Sequence, residues 1–182
     1  MPKNDVLVWM DLEMTGLEPE TDRILEMAVL ITDGALNVLE QGPTLVVHQS
    51  DAVLDGMDEW NQSHHGASGL IERVRSSTLD EAAAEAQLLA FVQAHTDRRA
   101  APLCGNSIWQ DRRFIAKYMP QLDGWLHYRN IDVSTIKELA RRWYPGLAPF
   151  QKTKAHTALS DIVESIAELR FYRDHIFIRS AD

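Results

Sequence analysis

The first 48 residues hold three runs rich in apolar and β-branched side chains, joined by turn-like spacers, and this arrangement narrows the possible folds more than any other feature. The runs are VLVWMDLE, ILEMAVLITD and VLEQGPTLVVH; the first spacer carries Gly16 and Pro19, and the second is DGALN. Strands linked so tightly read as an antiparallel meander, with the third strand broken near Gly42 and Pro43. Helical periodicity follows. Residues 55–68 read as a short amphipathic helix, and 79–95 as a long one with Ala82, Leu88, Leu89, Phe91 and Val92 on its apolar side. Residues 101–105 read as a short buried strand, and 107–119 as a helix closed by Pro120. A strand over 127–134 and a helix over 134–144 come next, then a loop over 145–156. The last helix, 157–176, has Leu159, Ile162, Ile166 and Leu169 as its core stripe. Strands followed by alternating helices and strands argue for an α/β domain, a mixed sheet flanked by helices. At 182 residues the chain is expected to form one domain spanning 1–182, with a core that needs no disulfide.

Composition bears mainly on partners. The formal net charge of −9 disfavours long tracks of duplex phosphate, so a long duplex is not the expected ligand. No run of about 18 apolar residues is present, and no membrane partner is expected. The N-terminus has neither a signal-like apolar region nor an Arg-rich amphipathic run. The lone Cys104 fits a reducing cytoplasm and reads as a small buried hydrophobe.

Four acids and one histidine carry the chemistry. Asp11 and Glu13 stand two apart on a strand, so both carboxylates project from one face with Leu12 opposite. Two such anions repel unless a cation lies between them. Asp111 sits early in a helix after a Gly-Asn-Ser turn. His156 and Asp161 would lie about 140° apart on one helix. They can serve one site if His156 is on the preceding loop and Asp161 a turn inside the helix. Each has a plainer reading: a polar strand end, a carboxylate complementing a helix dipole, a loop histidine, a solvated helix position. Together the acids can form an oxygen cage suited to hard divalent cations, and histidine can take a proton near neutral pH. The combination points to metal-assisted hydrolysis of a phosphodiester.

MDLEMTGL, GNSIWQD and H-x-A-x-x-D resemble the motifs of the DEDD-type 3′-to-5′ exonucleases with a catalytic histidine. VVHQSD, ASGLIERVRSST, KYMP, HYRNIDVSTIKELARRW and HTALSDI sharpen the likeness to the oligoribonuclease family, from about residue 5 to about residue 177. The resemblance implies a ribonuclease H-like fold, a homodimer, and degradation of very short RNA, chiefly dinucleotides, to mononucleotides. In bacteria that includes the linear dinucleotide from cyclic di-GMP. Carried onto this chain, it makes Asp11, Glu13, Asp111 and Asp161 the ligands of two Mg²⁺ or Mn²⁺ ions and His156 the general base. Leu17 resembles a wedge against the bases, and Trp60 and His65 resemble base-stacking and 3′-end contacts. Ser107, with Tyr128, Arg129 and Ser134 from a partner subunit, resembles a cap over the 5′ end. Without the resemblance Trp60 reads as a core tryptophan and Arg129 as a solvated strand-edge charge. Lys152 and Lys154 either touch phosphate or solvate the loop.

The chain departs from the family pattern at Trp109, where a small residue is frequent, and at Ala155 and Ser160, where threonine and aspartate are common. One rival, a broader exonuclease on longer RNA or single-stranded DNA, would use the same five residues. A rival of another class is a non-catalytic RNA-binding module on a decayed exonuclease scaffold; loss of a cage residue would favour it, and none is lost. The aromatics Trp125, Tyr128, Trp143 and Tyr144 would suit an interface.

Overall fold

The computed structural model describes residues 5–151 and 157–177, which build a mixed five-stranded sheet with helices on both faces. Strands β1 (Val6–Met14), β2 (Ile24–Asp33) and β3 (Val38–Val46) form the expected antiparallel meander. β4 (Leu103–Gly105) adds in parallel to β1, and β5 (Asn130–Asp132) in parallel to β4, giving the order β3-β2-β1-β4-β5. The helices are α1 (Asp51–Asp55), α2 (Glu59–Ala67), α3 (Leu70–Ser76), α4 (Glu81–His95), α5 (Ile108–Tyr118), α6 (Pro120–Trp125), α7 (Val133–Trp143) and α8 (Ala158–Ile176).

The two-residue period of β1 divides the core. Val6, Val8, Met10 and Leu12 pack with Leu88 and Val92 of α4 and Phe114 and Ile115 of α5. Trp9 points the other way, into a cluster with Val133 and Ala140 of α7 and Ile162 and Ile166 of α8. Its indole Nε1 donates to Thr32 Oγ1 at 2.9 Å, so the buried polar atom is satisfied. β2 lies between both clusters and is buried from Ile24 through Thr32, which explains why its sequence is apolar nearly throughout rather than alternating. A third cluster, with Leu25, Leu54, Met57, Leu70 and Val74, seats α1 to α3 beside the sheet.

Several elements differ from the sequence expectation. α1, α3 and α6 were not expected. Pro120 does end α5, and it also opens α6, because proline loses nothing at a first helical position. Gly42 and Pro43 do not break β3; they form a bulge, with Ala28 paired to Thr44 and Leu30 to Gln41. Proline is tolerated there because β3 is an edge strand. β5 is shorter than 127–134, since Asp132 already caps α7 by accepting from Ser134 N. On α4 the inward positions are Ala84, Leu88 and Val92, and Ala82 is exposed. Trp125 is half-buried with its Nε1 donating to Thr96 Oγ1, so it does not belong with the exposed aromatics. No helix among the described residues is long and apolar enough to cross a membrane.

Candidate active site

β1 changes character along one face. Leu7 and Trp9 pack under α7 and α8, and the next two residues on that face are Asp11 and Glu13. α8 begins at Thr157, whose hydroxyl accepts from Ser160 N while the Ser160 hydroxyl accepts from Thr157 N. This capping box fixes the start of the helix, and its first turn delivers Asp161. One oxygen from each of Asp11, Glu13 and Asp161 lies within 4.8 Å of the other two.

Asp111 approaches from the sheet side. β4 pairs with β1 only at Val8 and Trp9, and the chain leaves the sheet after Gly105. A Cβ at Gly105 would lie 2.9 Å from the Met10 carbonyl oxygen, so the glycine permits this close passage. Beyond it, Asp111 Oδ1 accepts from Leu12 N at 2.9 Å, taking the place of a further ladder partner. Asp111 is buried and abuts the three-acid group through the backbone of Leu12; it is not a member of that group in this geometry.

Burial, helped by Asp161 and Glu26, pushes the Glu13 carboxyl up to about 7, against the lowering effect of Arg73. Burial also raises Asp111 well above the usual carboxylate range; the Leu12 N–H holds it down, and Glu13 and Asp132 add to the rise. Crowded acids of this kind, offering only oxygen, fit a hard divalent cation whose charge would offset their repulsion. A further acid, Glu26, lies opposite Glu13 in the sheet register and is 2% exposed. Arg73 of α3 donates to both its oxygens, at 2.9 and 3.1 Å. Sequence reading did not identify this pair.

The expected substrate residues fall into three places. Leu17 is 70% exposed on the loop after β1, and its carbonyl accepts from Gln110 Nε2 and from Arg113 Nη1. Gly16 is needed there, since an added Cβ would come within 2.5 Å of the Asp22 carboxylate that holds the loop closed. On α2, Trp60 is 67% exposed and stacks on His64 with ring centroids 4.9 Å apart, so it is a surface ring and not a core tryptophan. His65 is buried; its Nε2 donates to the Met14 carbonyl at 2.9 Å, which leaves Nδ1 facing Glu13 at 3.9 Å. Burial pushes this imidazole down, which favours the neutral ring.

Ser107 takes a left-handed backbone at φ 52, and its N–H donates to Asp132 Oδ1 and Ser134 Oγ. The Ser107 and Ser134 hydroxyls lie 3.0 Å apart, so these two meet within one chain. Tyr128 and Arg129 lie ahead of the edge strand β5, both exposed, with the guanidinium 5.3 Å from the tyrosine ring centre. Trp109 is exposed and lines an open depression with Asp132, Ser134 and Arg142. His156, with Lys152, Lys154 and Ala155, lies outside the described residues.

A family model described as exonuclease matches residues 8–169. Oligoribonuclease from Alcanivorax borkumensis is 60% identical over 174 residues, covering 95% of this chain and 96% of the relative. Oligoribonuclease from Shewanella amazonensis is 62% identical over 172 residues, covering 94% and 95%. Among solved structures, E. coli exonuclease I in complex with a dT13 oligonucleotide superposes with a TM-score of 0.75 at 16% identity, over 93% of this chain. The match covers 41% of that longer protein, and at such identity the likeness is one of fold: the mixed sheet is the ribonuclease H-like sheet of exonuclease I.

Proposed function

The chain belongs to the oligoribonuclease family of exonucleases, and from that premise we propose that its chief substrates are 5′-phosphorylated RNA dinucleotides, cleaved to nucleoside 5′-monophosphates. It is a 3′-to-5′ exoribonuclease acting on short RNA. The linear dinucleotide left by cyclic di-GMP breakdown falls within the proposed substrate class. The observation that carries the reading is the convergence of Asp11, Glu13 and Asp161, with Asp111 locked behind them on Leu12.

These four acids would hold two divalent cations, Mg²⁺ or Mn²⁺, which when bound offset the charge of the phosphate being attacked. His156, in its neutral form, accepts the proton of the attacking water. The water oxygen bonds to phosphorus, the bond to the 3′ oxygen breaks, and that oxygen takes up a proton from bulk water. Leu17 and the exposed face of Trp60 grip the bases; stacking on such a ring contributes about 1–3 kcal/mol per base. Ser107, Ser134, Tyr128 and Arg129 close the 5′ end, where charge-assisted bonds of about 1.5–3 kcal/mol each favour a terminal phosphate. His65 ties α2 to the end of β1 through the Met14 carbonyl and is read as lying beside the 3′ end. The enzyme is further read as one exonuclease domain that works as a cytoplasmic homodimer, with exposed Tyr128, Trp143 and Tyr144 available to the contact.

The test compares hydrolysis of a 5′-phosphorylated dinucleotide, an RNA seven-mer and a single-stranded DNA oligomer in Mn²⁺ and in Mg²⁺. Asp11→Ala serves as the inactive control. Strong preference for the dinucleotide, abolished by the substitution, is the expected result. Equal cleavage of the longer chains would favour an open-groove exonuclease. Tight RNA binding without any metal-dependent cleavage would favour a binding module.

A further inference from the structure

We propose that Asn106 is a positioning residue for this reaction, tying the helix that carries Asp161 and the helix that carries Asp111 into one frame. The proposal rests on the cage reading above. Asn106 lies in the two-residue turn between β4 and α5, and its carboxamide reaches two helices, α7 and α8. Its Nδ2 donates to Ser165 Oγ at 2.8 Å and to Glu168 Oε2 at 3.1 Å, both on α8. Its Oδ1 accepts from Ser134 Oγ at 3.2 Å, at the start of α7. Ser165 Oγ in turn donates to the carbonyl of Asp161 at 2.8 Å, so the amide is one hydroxyl away from the backbone of a cage acid.

The surroundings hold the carboxamide in one orientation. Glu168 is 1% exposed, and it also accepts from Tyr172 OH at 3.0 Å and pairs with Lys137 Nζ at 3.3 Å. A buried carboxylate so placed needs the amide's NH₂ facing it and would repel an oxygen there. The next residue, Ser107, is held by Asp132 and Ser134, and α5 starts from it with Asp111 in its first turn. One side chain therefore bridges the segments that carry Asp111 and Asp161. Cation ligands must be held closely in place by their supporting contacts, and loss of such a contact typically costs about 10–100-fold in metal affinity or activity.

The experiment uses the full chain with Asn106→Ala, Asn106→Asp, Ser165→Ala and Asp161→Asn, each studied below its own unfolding midpoint. Mn²⁺ affinity is read by calorimetry without substrate, and kcat and KM on a 5′-phosphorylated dinucleotide. Both Asn106 variants are expected to weaken Mn²⁺ binding about 10–100-fold, with kcat falling and KM little changed. The Asp variant keeps the shape but turns an oxygen toward Glu168, so its loss is expected to be at least as large as that of the Ala variant. Ser165→Ala breaks one branch and is expected to give a smaller loss in the same direction. Parental Mn²⁺ affinity in folded Asn106 variants would overturn the proposal; should neither fold, parental affinity in Ser165→Ala would overturn it. Asp161→Asn separates the two readings: if it binds Mn²⁺ as the parent does, the cage assignment itself fails.

Discussion

Cys104 sits on β4, between β1 and β5, fully buried, where its Sγ meets the Pro102 carbonyl at 3.5 Å. Burial pushes this thiol well up, against opposing backbone contacts from Ile131 and Val8. Tyr172 is also raised, first by burial and then by Glu168 beside it. Both groups stay neutral in the fold at pH values where the unfolded chain ionises, about 8.5 for a thiol and about 10 for a phenol. Their contribution to stability is thus complete below those values and is lost as pH rises past them. Urea midpoints should decline from pH 8 to pH 10.5, and iodoacetamide at pH 8 should label Cys104 only after unfolding. Rapid labelling of the folded protein would contradict the burial. At this scale the common face of Asp11 and Glu13 was legible, because carboxylates two apart on a strand project together. Asn106, and Glu26 with Arg73, were not. Their partners lie 59, 62 and 47 residues away, and no local pattern marks such a pairing.

Arg112 shows how an element is held. On α5 it turns away from the cage, and its guanidinium reaches Asp123 of α6 at 2.6 Å, the His127 carbonyl at 2.9 Å and Asn130 Oδ1 at 3.1 Å. One side chain thus joins α5, α6 and the segment that presents Tyr128 and Arg129. With both partners of the ion pair largely shielded, Arg112→Ala should cost about 2–3 kcal/mol, in line with charge-assisted bonds left unmade. Thermal unfolding checks the stability; KM on the dinucleotide should rise with it, because the segment proposed to close the 5′ end loses its tether. A variant as stable as the parent would mean the clamp is solvated. Among the elements that sequence reading captured, α4, α5 and α8 have long periodic patterns of their own, and β2 has an unbroken apolar run. The ones it missed, α1, α3 and α6, have seven residues or fewer, too short for periodicity to show. α3 and α6 also lack a side-chain N-cap, and their helicity is decided by what they pack against.

The whole molecule carries 27 acidic against 18 basic side chains, a formal charge of −9, around a proposed site for an anionic substrate. A surface of that sign repels polyphosphate at long range, so binding must come from contacts close to the cage. A dinucleotide offers two phosphates to such contacts. Counterion release from about two phosphates of a single strand predicts a log–log slope of affinity against salt near −1.4, whereas six would give about −4. Steady-state KM for the 5′-phosphorylated dinucleotide, measured from 50 to 200 mM salt at fixed Mn²⁺, should therefore rise only several-fold. A fluorescent 20-base-pair duplex should show no micromolar binding under the same conditions. A slope near −4, or duplex binding that competes with the dinucleotide, would mean that an extended basic track outweighs the net charge. The short-substrate preference would then need an origin other than this balance of local grip and global repulsion.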